Sequence, residues 1–295
     1  MLTQRQIPKL KGTQTEDQRD LDGARCFDSE RAQNYDCQIR IVVPGYEALH
    51  STACSLLQRK LKEQARLLIV GAGTGKEIIQ LGNSNPGWQF TGVDPSPDMI
   101  TIARRRVIER DLSGRAKLHA CLAHDLPVSE PYDAATLMLA MHFVPDDGEK
   151  LRLLHSISSR LKPGAPFILA DLHGDRMSER FARFIGAWRC RQIALGMTAE
   201  EVEGLFQNIL SEIQFIPEKR IMALMREAGF EHIEPFYGAL LLGGWVARRN
   251  NRPSAIRRGR GRAVCSGKAG PAFASQEMPP PPSNSPGEKE MSFSA

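Results

Sequence analysis

Leu67-Leu68-Ile69-Val70-Gly71-Ala72-Gly73-Thr74-Gly75-Lys76 sets four apolar residues directly before three glycines at alternate positions. An apolar run without polar alternation suits a parallel strand covered by helices on both faces. The glycines let the backbone adopt φ > 0 and leave no Cβ between the main chain and whatever lies above it. Lys76-Glu77-Ile78-Ile79-Gln80-Leu81 then takes helical apolar spacing, so the unit reads strand, glycine loop, helix. That is a ligand cradle at a helix N-terminus. A phosphate loop needs G-x-x-x-x-G-K-[ST]; here the span from Gly71 to Gly75 is one residue short and Glu77 follows Lys76. A dinucleotide fingerprint needs a third glycine where this chain has Lys76.

The next strand narrows the choice. Trp88-Gln89-Phe90-Thr91-Gly92-Val93-Asp94 ends in an acid 23 residues after Gly71, and Pro95-Ser96-Pro97-Asp98-Met99 opens a helix. An acid at the carboxyl end of the second strand is placed to accept both hydroxyls of an adenosine ribose. Helix capping together with Ser96 is the plainer alternative for Asp94. The G-x-G-x-G spacing with this acid resembles the S-adenosylmethionine (SAM) loop of class I methyltransferases.

Outward from that pair, residues 1–24 read as a loose polar arm and residues 31–41 as a helix stopped by Pro44-Gly45. A second helix runs from about Tyr46 to Gln64. Met99–Glu109 is a basic amphipathic helix whose Arg104, Arg105 and Arg106 suit a solvated outer face better than a nucleic-acid contact. Lys117–Leu122 is the third strand; Tyr132–Phe143 is the fourth and carries His142 at its end. Asp146–Lys162 is a helix, and Ala165–Leu172 is the fifth strand, delivering Asp171 and His173 to the same edge. Repeated strand–helix alternation predicts a doubly wound, mostly parallel sheet with ligands at its carboxyl edge. From Gly174 to Pro217 the pattern is helical only, with the capping box Thr198-Ala199-Glu200-Glu201, and is placed to form a lid. After a helix ending at Ala228, residues 229–236 and 237–247 read as a closing antiparallel pair.

This order, five βα units and a terminal antiparallel strand pair in a seven-stranded Rossmann-like sheet, is similar to the class I SAM-dependent methyltransferase fold over residues 25–249. Val43-Pro44-Gly45-Tyr46, Leu161-Lys162-Pro163-Gly164 and Glu227-Ala228-Gly229-Phe230 look like the branch of carboxy-SAM synthase, whose members act in modifying the wobble uridine of tRNA. The synthase carries an arginine in its insertion to hold the added carboxylate; here Leu205-Phe206-Gln207-Asn208 stands in that region, so plain methyl transfer is expected. The resemblance implies SAM as cofactor, held by Gly71, Ala72, Gly73, Thr74, Gly75, Asp94, Pro95, Ser96, Met99, Asp125 and Met141, with a turn before Leu126-Pro127 as the equal alternative for Asp125. It also implies Tyr35, Arg40 and Tyr46 folding over the methionine part, with N-terminal helix packing as their alternative. His142 and His173 are the candidates for a general base, each set against a spectator role at the pocket wall. Trp188, Arg189 and Met197 are candidates to line an acceptor pocket, although such a stripe is more often core. A SAM-binding protein without catalysis fits the same loop.

Bulk properties add little that is specific. Hydrophobic residues make up 41% of the 295, ordinary for a globular chain, and there is no 18-residue apolar run. With no apolar signal core in the first residues, a cytoplasmic protein is expected. The six cysteines are scattered without metal spacing and read as reduced thiols, so no metal is expected. Nine of the 39 basic and three of the 34 acidic residues lie from Arg248 onward, leaving 30 and 31 in the body. The excess positive charge therefore sits from Arg248 onward, and the tail at 250–295 is Arg-Gly- and Pro-rich and expected to be disordered. The expected partner is a small-molecule acceptor. The folded domain gives no indication of nucleic acid or membrane, and homodimerisation stays open.

Overall fold

The computed structural model describes residues 38–251. The expected arm at 1–24, Tyr35 and the tail beyond residue 251 lie outside them. A helical turn at 38–42 leads to α1 (Tyr46–Lys60), followed by β1 (Ala65–Val70), α2 (Lys76–Ser84), β2 (Trp88–Asp94), α3 (Pro97–Glu109), β3 (Ala116–Ala120) and β4 (Ala134–Met138). Then come α4 (Glu149–Ser159), β5 (Pro166–Leu172), α5 (Glu179–Ala194), α6 (Ala199–Glu212), α7 (Glu218–Glu227), β6 (Phe230–Ala239) and β7 (Leu242–Arg249).

The seven strands form one sheet in the order β3-β2-β1-β4-β5-β7-β6. Only β7 opposes the others: it pairs antiparallel with β5 on one side and β6 on the other. Strand order reverses between β1 and β4, and in open α/β sheets the ligand crevice lies at such a switch point, outside the carboxyl ends of the strands. Because successive side chains alternate, β1 feeds two cores. Leu67 and Ile69 pack with α1, α2 and the insertion helices; Leu68 and Val70 pack with α4 and α7. All four are buried, which is why β1 reads as an unbroken apolar run.

Three expectations are corrected. The fourth strand stops at Met138 instead of reaching Phe143. Leu139 there adopts φ 57° and donates its N–H to the Ala170 carbonyl at 2.7 Å, and Met141–Phe143 forms a 3-10 turn. A left-handed leucine is strained backbone, held by its surroundings, and it re-aims the chain across the crevice. Second, residues 121–133 link β3 to β4 without a helix, so one of the five βα units is missing its α. Pro127 and Pro131 and the turn closed by Asp125 N–H on Leu122 O break up that stretch. Third, the closing hairpin turns at Leu240-Leu241, not between Phe236 and Tyr237. Pro235 continues within edge strand β6, where it is tolerated next to a register shift.

The insertion follows the expected pattern. Ser178 caps α5, and the reciprocal capping box between Thr198 and Glu201 opens α6. Trp188 is fully buried, donates to Val42 O at 2.7 Å and packs edge-on against Phe206; Arg189 pairs with Glu203. Trp188 and Met197 are therefore core, and Arg189 lies at its margin in a partly exposed ion pair.

Candidate functional site

Gly71, Gly73 and Gly75 take φ of 69°, 50° and 80°, so each uses the freedom that no side-chain-bearing residue has cheaply. Their surroundings differ. A Cβ at Gly71 would meet the Ala140 Cβ at 2.5 Å and one at Gly75 would crowd Ala103 at 3.1 Å, so these glycines let the loop pack down. A Cβ at Gly73 would meet only the Gly71 carbonyl, at 4.0 Å, so above Gly73 the cradle is open. The loop is anchored by Gly71 and Ala72 N–H groups donating to Val93 O, while Ala72 and Thr74 are buried beneath it.

Asp94 faces this cradle. Its Oδ2 accepts from Gly73 N–H and its Oδ1 from Ser96 N–H, both at 2.9 Å. Ser96, not Asp94, caps α3, its hydroxyl accepting from Met99 N–H at 3.3 Å. Burial pushes the Asp94 pKa up against those two hydrogen bonds, as for a carboxylate short of water with lone pairs to spare. A pair of hydroxyl donors would complete its shell. The open backbone at Gly73 and this acceptor fit an adenosine-bearing ligand.

Other expected contacts are placed less favourably. Met99 and Met141 are buried in the core, and Asp125 is exposed in the β3–β4 link with His124 as neighbour at 3.7 Å. Pro95 is exposed beside the crevice. Tyr46 is buried, edge-on to His50 and under the Lys76 ammonium, while Arg40 and Lys76 both pair with Glu47. The residue that excluded a dinucleotide loop thus ties α1 to the start of α2.

Across the crevice, the 3-10 turn brings His142 against Asp171 of β5. His142 Nδ1 contacts Asp171 Oδ1, and the same oxygen accepts the His142 backbone N–H at 3.3 Å; the two residues are 5% and 1% exposed. Their carboxylate–imidazole contact holds the ring with Nε2 as the remaining polar edge. Lys150 of α4 lies beneath, fully buried, donating to Met141 O at 2.7 Å. Burial lowers its pKa, and the Asp171 and Asp146 charges oppose that. Lys150 was legible in retrospect, since with Leu154 and Ile157 it lies on the apolar face of α4 at helical spacing. The end of the insertion is tied to the same turn by Gln214 N–H donating to His142 O at 2.8 Å. His173 sits one strand-end further on, buried, edge-on to Trp245 at 5.4 Å; burial lowers its pKa and keeps it neutral.

Glu77 was also missed. It lies in the first turn of α2, near His50, Cys54 and Thr136, and burial raises its pKa from 4.5 to about 7, with the Thr136 hydroxyl opposing. Between those values the folded chain keeps a proton that the unfolded chain has lost, so stability falls as pH rises through that window. At 1.36 kcal/mol per pH unit the loss is at most about 3 kcal/mol. Glu77→Gln is therefore expected to match the parent below pH 4.5 and exceed it by about 2 kcal/mol above pH 7, read from urea melts. A parallel pH profile for both proteins would contradict this.

A parallel sheet with a glycine cradle, a carboxylate at the end of β2 and a helical insertion after β5 defines a Rossmann-like nucleotide-binding enzyme fold. Residues 68–167 match a methyltransferase domain family. A carboxy-SAM synthase from Campylobacter hominis is 30% identical over 72% of this chain and 88% of the relative. A ubiquinone/menaquinone biosynthesis C-methyltransferase from Rhodopseudomonas palustris is 28% identical, covering 62% of this chain and 71% of its own. The chain belongs to the class I SAM-dependent methyltransferases, related to carboxy-SAM synthase. An O-methyltransferase family 2 protein from Planctomyces limnophilus shares the fold, at TM-score 0.53 and 16% identity over 78% of this chain and 63% of that one.

Proposed function

We propose that this enzyme transfers a methyl group from SAM to a small-molecule acceptor, with the Gly71–Gly75 backbone and Asp94 holding the cofactor. The observation that carries the reading is the open cradle at Gly73 under a desolvated Asp94 carboxylate. SAM supplies a methyl group on a sulfonium, which a nucleophile displaces in line. The chain's own part is alignment and exclusion of water, which together account for several kcal/mol of barrier. His142 is proposed to take the proton of an acceptor hydroxyl on Nε2, with Asp171 as the positioning residue that fixes the ring. The insertion at 174–217 acts as the lid, joined to the base by Gln214. A cytoplasmic setting belongs to this reading, and the free thiols Cys54, Cys121 and Cys190 agree with it.

The identity to a carboxy-SAM synthase favours a second reading, synthesis of the carboxylated cofactor. Against it, the insertion region where the synthase resemblance implies an arginine holds Phe206, buried in the core of α6. Incubation of the full chain with SAM labelled on the methyl group and an acceptor panel, with mass spectrometry of the ligand that co-purifies, separates the readings. Label in an acceptor is the expected result; bound carboxy-SAM points to the synthase, and bound SAM without transfer to a non-catalytic binder.

A further inference from the structure

A cavity of about 310 Å³ opens at the carboxyl edge, bounded by the end of β5, the β6–β7 hairpin and the first turns of α5 and α7. Its volume lies at the lower end of the range for small-molecule sites, so it suits a compact ligand. Three of its walls are aromatic: Phe184, Tyr237 and Trp245. Tyr237 closes the side toward α1, its hydroxyl donating to Pro44 O at 3.0 Å. Gly243 leaves room for the rings, because a Cβ there would meet Trp245 at 2.4 Å and His173 at 3.0 Å.

The polar groups of the lining are of two kinds. The guanidinium of Arg180, an exposed residue, lies 5.1 Å from the Phe184 ring centroid and, among the described residues, has no carboxylate within ion-pair distance. Arg152, Arg189 and Arg220 by contrast each pair with an acid. A stacked arginine with its fork unpaired matches a planar carboxylate bidentately. The others are acceptors: Glu218, whose Oε1 takes the Trp245 Nε1–H at 3.2 Å, and His173, kept neutral by burial with its backbone N–H fixed on Leu241 O. These favour a hydrogen-bond donor and repel a second acid.

We infer that this cavity takes a single-ring aromatic acid bearing a hydroxyl or amine on the ring. The carboxylate seats on Arg180, the ring lies among Phe184, Tyr237 and Trp245, and the donor points to Glu218 and His173. The inference rests on the methyltransferase reading and names a ligand class for a second site on the same sheet edge, since the cavity is lined by His173 and not by the proposed base His142. β1, β4 and β5 are neighbours, so His173 at the end of β5 lies two strand spacings, about 10 Å, from the glycine cradle at the end of β1.

The test is calorimetric titration of the full chain, with and without SAM, using 4-hydroxyphenylacetate and 4-aminobenzoate as probes and 4-hydroxyphenylacetamide as the uncharged counterpart. At least one acid should bind, and Arg180→Gln should weaken it tenfold or more while leaving the amide and SAM unchanged. Arg180→Lys, which keeps the charge without the fork, should fall between them. Failure of both acids to bind a chain that binds SAM, or equal binding by Arg180→Gln, overturns the inference alone. A chain that binds neither SAM nor the acids overturns the methyltransferase reading with it.

Discussion

Asp171→Ala is expected to cost the fold about 3–5 kcal/mol and to abolish methyl transfer. The carboxylate is 1% exposed and serves two neighbours at once: the His142 ring and backbone N–H, and the buried Lys150 ammonium. Truncation removes the nearest counter-charge from a lysine whose pKa burial already depresses, so an uncompensated buried cation or a neutral amine remains. The 3-10 turn also loses the acceptor for the His142 N–H, and with it the aim of the imidazole. Asp171→Asn separates the two effects. It keeps the volume and one oxygen, so the fold should survive with a loss nearer 1–2 kcal/mol, while the ring loses its ionic partner. Urea denaturation and label transfer from SAM are the measurements. An Asp171→Ala protein within 1 kcal/mol of the parent would show that the buried cluster is not what holds the turn.

The second large effect is at Asp94. Asp94→Ala is expected to weaken SAM binding by at least 100-fold, about 3 kcal/mol, since hydrogen bonds to a charged acceptor are worth about 1.5–3 kcal/mol each. Two contributions are combined in that figure. The ribose hydroxyls lose their acceptor, and the loop loses the anchor that Asp94 provides for the Gly73 and Ser96 N–H groups. Asp94→Asn distinguishes them, because an amide oxygen still serves one backbone donor but the NH2 cannot accept from a hydroxyl. Titration calorimetry of the two variants reads the difference. If Asp94→Asn binds SAM within threefold of the parent, the ribose role is lost and Asp94 is a structural anchor.

The two effects differ in how visible they were beforehand. Asp94 stood out because it follows the glycines at a regular distance along two consecutive strands, and consecutive parallel strands on either side of one helix end side by side. The pairing Val70↔Val93 brings the loop and the acid together by register alone. The His142–Asp171 contact joins residues 29 apart on different elements, and it depends on the chain leaving β4 at Leu139 in a left-handed conformation. No local propensity marks leucine for that role. His142 was expected on the right edge, but as a strand residue, and only the turn directs its ring at Asp171.

Short-range preferences therefore determined the cradle, the alternation of strands and helices, the caps at Ser178 and Thr198, and the order of elements: each depends on φ/ψ allowance, apolar periodicity or a hydrogen bond within one turn. The tertiary structure alone decided which polar groups would be taken from water. Lys150 became a buried cation and Glu77 a carboxyl titrating near neutrality. Those outcomes follow from desolvation and from groups brought together by the docking of α2 and α4 on the sheet, which are sums over distant segments.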